Sequence, residues 1–196
     1  MNKIFIITGA LLIMLFAVSC DNQLGLEPNA LVETRDYFPM HVGDEWNYQF
    51  NGSQSYELNV MVTGTETFGA HEYFVFRYTT QNTWQTYYQY FRTEGRDRVY
   101  KYQNGVDMLH IDFDRSENDS ASWRNSGYVN LNQSEDNRKS AGFDNCITVE
   151  YDAQDTYSSR ISEIYAPGVG LVKRQSGAGI LLFIDAKIDG RKVEFE

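Results

Sequence analysis

Beyond residue 36, apolar and polar positions alternate with a period of two almost to the end of the chain. That is the pattern of strands that bury one face and wet the other. Trp46, Tyr48 and Phe50 share one face of a first strand, and Asn51-Gly52-Ser53 reverses the chain. Tyr56, Leu58, Val60 and Val62 line one face of a second, and Phe68-Gly69-Ala70 turns into Tyr73–Tyr78. Thr83–Arg92 predicts a fourth strand and Arg98–Tyr102 a fifth. Asn104-Gly105 is a strong hairpin signal, because both residues tolerate the positive φ of a tight turn. The strand after it places Leu109, Ile111 and Phe113 on one face, with His110 and Asp112 on the other. Residues 114–127 are polar and turn-forming, the longest apparent loop.

Tyr128–Leu131, Asn145–Tyr151 and Ser158–Tyr165 read as further strands. Turns at Pro167-Gly168, Gly177-Ala178-Gly179 and Asp189-Gly190 punctuate strands at Val169–Lys173, Ile180–Ile188 and Lys192–Phe195. No stretch of this body shows a helical period. Short connections between successive strands predict an all-β domain, a single antiparallel meander forming a strongly curved sheet or half-barrel.

The first residues differ in kind. Met1–Lys3 carry one cation, and Ile4–Val18 is an apolar run broken only by Thr8 and Gly9. The run is shorter than the ~20 residues of a spanning helix and ends in small residues, as an export signal does. Ala17-Val18-Ser19-Cys20 resembles the lipobox of bacterial lipoproteins, in which the cysteine is acylated and becomes the first mature residue. The expected layout is a signal peptide over 1–19, a lipidated tether over 20–36 containing Pro28, and a β-rich domain over 37–196. Acyl chains on Cys20 then anchor the protein to a membrane of the cell envelope. The outer membrane is favoured over the inner, although Asp21 leaves both the membrane and its face open.

Charge narrows the partners. The chain carries 17 Lys and Arg against 27 Asp and Glu, a formal net charge of −10. Removing a leader that holds Lys3 and no acids makes the remainder more negative still. Such a surface repels nucleic acid and anionic headgroups, so attachment must come from a covalent lipid and not from a basic patch. Aromatic residues are 15% of the chain, enough to build a core from rings where aliphatic side chains are modest. With Cys20 acylated, Cys146 is the one remaining thiol, and its strand-like setting, Cys146-Ile147-Thr148-Val149, predicts a buried, inert group.

Tyr37-Phe38-Pro39-Met40 with Val42-Gly43-Asp44-Glu45-Trp46-Asn47-Tyr48, then Asn145-Cys146-Ile147, then Tyr165-Ala166-Pro167-Gly168-Val169-Gly170-Leu171-Val172-Lys173, resembles a family of β-rich lipoproteins of Bacteroidetes. A YFPxxVGxxWxY opening and an APGVGLVK hairpin recur near the two ends of that family's domain. The resemblance covers roughly residues 37–190. It implies a curved antiparallel sheet and supplies no catalytic residues or cofactor. Half-barrels of this kind also resemble carriers that hold acyl chains, a likeness of fold and not of site.

No nucleophile elbow, zinc-protease helix or phosphate loop is present, and Gly168-Val169-Gly170 lacks the third glycine and the helix that a phosphate loop requires. His41, His71 and His110 lie far apart. His110, Asp112 and Asp114 are spaced for one face of a strand and form the best candidate metal group, which a solvated sheet face explains as well. Asp119-Ser120-Ala121 resembles a short O-glycosylation acceptor.

The aromatic run Trp84–Phe91 is the strongest functional lead. Trp84, Tyr88 and Tyr90 are expected on one face and Tyr87 and Phe91 on the other, one more aromatic face than a one-sided sheet needs. The expected function is that of a non-enzymatic, cofactor-free envelope lipoprotein presenting a β-sheet to a partner. The alternative is a carrier holding a lipid or glycan in the concave face, with Trp84, Tyr88 and Tyr90 as its wall.

Overall fold

A computed structural model of the chain describes residues 36–95, 97–113, 121–122, 128–132, 142–152 and 160–194. The leader, Cys20, most of the tether, Asp114 and Asp119-Ser120 lie outside the described residues. Within them are thirteen strands: β1 (Glu45–Gly52), β2 (Tyr56–Phe68), β3 (His71–Thr80), β4 (Thr86–Glu94), β5 (Arg98–Gln103), β6 (Val106–Asp112), β7 (Ala121–Ser122), β8 (Tyr128–Asn132), β9 (Ile147–Asp152), β10 (Arg160–Ala166), β11 (Gly170–Ser176), β12 (Gly179–Ile188) and β13 (Arg191–Glu194). Among the described residues there is no helix.

Pairing is antiparallel throughout. Neighbours in sequence pair from β1 to β6 and again from β7 to β12, and β12 returns to pair with β1. The meander is thus a ring broken at one seam, between β6 and β7. The sheet curls through 274° as a half-barrel. Four register shifts help it bend, with the extra residue at Thr63 in β2, His110 in β6, Val172 in β11 and Ile184 in β12. Each extra residue increases local twist and re-aims the side chains that follow it.

The shift in β2 changes which face the strand shows. Leu58, Val60 and Val62 are buried in the core, whereas Phe68, beyond the bulge, stacks on Tyr102 at 4.2 Å and meets Tyr90 edge-on at 4.9 Å. Tyr90 and Tyr102 alternate with the core residue Phe91 and the cavity residue Lys101 across the paired strands β4 and β5, so this ring cluster clothes the convex face. Arg92 strengthens it, lying 4.0 Å over Tyr100 and bonding Asp107 through Nε at 3.1 Å. Aromatics on both faces of β4 therefore each have a place, one set in the barrel and one in a satellite cluster outside it.

The fourth strand starts later than its aromatic content predicts. Residues 81–85 are a turn, closed by Thr80 N–H donating to the Gln85 carbonyl at 3.0 Å, and Trp84 holds a left-handed φ of 52°. A bulky residue there is strained, so Trp84 belongs to the rim and not to the strand.

The two motifs from opposite ends of the chain interlock at one pole of the barrel. Trp46 Nε1 donates to the Val169 carbonyl at 2.7 Å, and the Tyr48 hydroxyl to the Leu171 carbonyl at 2.9 Å. Gly170 takes a φ of +94°, and a Cβ there would sit 3.5 Å from Pro39 and 3.7 Å from Trp46. Asp44, almost fully buried, accepts from the His41 amide at 2.8 Å and from the Asp189 amide at 2.7 Å. That carboxylate ties the turn before β1 to the turn after β12.

Candidate functional site

Phe38 closes the barrel at this pole. Its ring lies 5.8 Å from Phe76, 5.3 Å from Phe91 and 6.2 Å from Tyr165, ring centre to ring centre. Above it the concave face does not fill, and a cavity of about 410 Å³ remains. Trp46 and Tyr48 of β1, Leu58 and Val60 of β2, and Phe76 and Tyr78 of β3 form one wall. Tyr87, Gln89 and Phe91 of β4, with Lys101 of β5 and His110 of β6, form the next. Ile161 and Tyr165 of β10, Leu171 and Arg174 of β11, and Leu181 of β12 complete the ring. Residues toward the far pole, Tyr87, Arg174 and Ser176, are partly exposed, so the cavity opens there. A volume of this order falls in the ~300–1,000 Å³ range of small-molecule sites.

Most of the lining is apolar, but one cluster of charge is set into it. Glu163 of β10 is 0% exposed. Its Oε1 accepts from Arg174 Nε at 2.5 Å, across the strand pair, and its Oε2 accepts from the Tyr165 hydroxyl at 2.7 Å. Burial alone would raise the pKa of this carboxyl. Arg174, His110 and the Tyr165 hydroxyl outweigh it and hold the group ionised, below its usual range. Burial raises the Tyr48 and Tyr78 hydroxyls well above the ordinary tyrosine value, so both stay neutral. Lys101 is shifted down, first by burial and then by the charge of Arg174.

His110 reaches the cavity through a bulge. Val99 pairs with Ile111 and Tyr100 with Leu109, leaving His110 as the extra residue of β6. The strict alternation read from sequence put His110 and Ile111 on opposite faces. The bulge instead lets Ile111 join the core while the His110 ring lines the cavity, 5.3 Å from Phe91. Its pKa is pushed down to about 4, chiefly by burial, so the ring is neutral near pH 7. Asp112 points elsewhere, to Arg98 at 3.3 Å. The candidate metal face is therefore split. Among the described residues no group of three or more His, Cys, Asp and Glu side chains is arranged to hold a metal ion.

The three aromatics chosen from sequence do not line this cavity. Trp84 stands 78% exposed on the rim turn. Tyr88 and Tyr90 border a more open hollow of about 380 Å³ with Phe68 and Tyr102. The concave wall of β4 is built by the alternate set, Tyr87, Gln89 and Phe91. Parity along the strand separated the two sets, but nothing local said which faced inward.

Cys146 is buried, donates to the Phe143 carbonyl at 3.4 Å, and has its thiol pushed up to about 11, first by burial and then by Asp144. It is a structural thiol. Sequence reading missed Lys101, Glu163 and Arg174. A trace of Glu163 was visible, since Ile161, Glu163 and Tyr165 alternate on one face and put a charge among apolar neighbours. Lys101 and Arg174 left no trace, because long cationic stems sit on either face of a sheet.

No protein-family model, curated protein or solved structure matches the chain.

Proposed function

We propose that this protein is a membrane-anchored envelope lipoprotein whose half-barrel binds a small, largely apolar ligand in its concave face without transforming it. The open cavity of about 410 Å³, walled by aromatic rings, carries the reading. A sheet that served only to present a surface would gain packing free energy by filling that space. The ionisable groups around it suit binding more than turnover. Glu163 is neutralised by Arg174, and burial raises the Tyr48 and Tyr78 hydroxyls of the wall so that both stay neutral. Anchoring rests on the leader and on Cys20.

The chain from residue 20 to 196, with Cys20→Ser to remove the acylation site, provides the test. N-phenyl-1-naphthylamine, a neutral fluorophore that brightens in apolar surroundings, should bind it saturably and one-to-one. Tyr87→Ala should weaken binding severalfold, and Tyr88→Ala should leave it within twofold. Absence of saturable binding in a folded sample would overturn the reading. For the anchor, intact-mass analysis of the protein from its native membrane should show an acylated Cys20, and any other mature N-terminus sinks that part.

A further inference from the structure

We propose that the ligand is a single-chain amphiphile with one anionic head, and that Lys101 is the residue that receives the head. This rests on the ligand-binding reading above and names the class of molecule that fits it. Lys101 stands on the inward face of β5, opposite Phe91 in the strand pair, and its side chain lines the cavity. Its ammonium lies 5.8 Å from the centre of the Phe91 ring. Among the described residues it makes no hydrogen bond and no ion pair.

The second cation that the described residues place in the cavity, Arg174, is already engaged by Glu163. His110 carries no charge near neutrality. Among the described residues the cavity thus holds two cations against one carboxylate, inside a chain whose formal net charge is −10. A surface of that sign repels anions, while the interior attracts one. A half-buried ammonium with no hydrogen-bond or ion-pair partner among the described residues is costly in an apolar setting, although Glu163 offsets part of that cost at a distance. An anionic oxygen brought beside it regains a charge-assisted hydrogen bond.

The remainder of the site fixes the rest of the molecule. Trp46, Leu58, Val60, Phe76 and Phe91 offer apolar wall and no further charge, so the body of the ligand is apolar. A volume near the lower end of the small-molecule range suits one chain and not a two-chain lipid. Carboxylate and phosphate heads satisfy Lys101 by the same chemistry.

Isothermal titration of the Cys20→Ser chain (residues 20–196) with decanoate, decyl phosphate and decanol, all below their aggregation limits, separates the possibilities. At least one anion should bind tenfold or more tighter than decanol, and the tighter of the two identifies the head. Lys101→Met should bring that anion down to the affinity of decanol while leaving decanol within twofold. Lys101→Arg should keep the preference, and it replaces Lys101→Met as the informative variant, by its altered ranking of the two heads, if the methionine form does not fold.

Equal binding of decanol and both anions, unchanged in Lys101→Met, would overturn the assignment of the head and leave the cavity as a neutral apolar site. Failure of all three to bind while the neutral fluorophore binds also overturns it. If the fluorophore fails as well, the ligand-binding reading itself falls.

Discussion

Acidification should destabilise this protein through His110 before its carboxylates are protonated. The ring is packed beside Phe91 and Phe38 and faces Lys101, Arg174 and Glu163. Burial is the largest cause of its low pKa of about 4, and the two cations act in the same direction while Glu163 opposes them. In the unfolded chain the same ring titrates near its ordinary value of 6.5. Above that pH it is neutral in both states and stability does not depend on it. Between pH 6.5 and about 4 the unfolded chain binds the proton first, so stability is lost as pH falls. At pH 5 the loss is about 2 kcal/mol, approaching about 3 kcal/mol at the lower limit, at ~1.4 kcal/mol per pKa unit. Glu163 adds little in this window, because its folded pKa lies below its ordinary value. Urea unfolding at pH 7 and pH 5, on the wild type and on His110→Gln, isolates the effect, since all other titrations are common to both chains. The wild type should lose about 2 kcal/mol more than the variant. An equal loss, or a smaller one in the wild type, would refute the placement of a neutral ring in the cavity wall.

Three further outcomes follow from the geometry. Asp44→Ala removes the acceptor of two backbone amides and should cost about 3 kcal/mol, with a fall in melting temperature of roughly 6–12 °C, whereas Asp44→Asn should cost less. Trp46→Phe leaves the Val169 carbonyl without its indole donor and should cost about 1–3 kcal/mol in urea unfolding, with the cavity still able to bind the neutral fluorophore. Cys146 should react with a thiol reagent orders of magnitude more slowly in native buffer than in denaturant, and comparable rates would contradict its burial.

Most of the architecture was legible in period two. Trp46, Tyr48, Leu58, Val60, Val62 and Ile111 all occupy the core that their alternation predicts, and Asn104-Gly105 turns where its dipeptide says, with both residues at positive φ. Bulges were not legible. A single extra residue carries no compositional mark, yet at His110 it moves a candidate ligand into the cavity, and in β2 it sends Phe68 to the convex side. The sidedness of β4 was hidden for a different reason. Tyr87 and Tyr88 are chemically alike, and only the curl of the whole sheet decides which faces inward. The charged cluster depends on partners far apart in the chain, Lys101 from one half of the ring and Glu163 with Arg174 from the other.

The pairing of β1 with β12 has a consequence for how the molecule comes into being. A first strand that must wait for a partner some 140 positions downstream cannot finish its ladder while the polymer is still being made or threaded, and such distant pairings are slow to find one another. Late closure keeps the chain pliable until its final strands are made. The half-barrel then locks only once β12 has arrived to pair with β1.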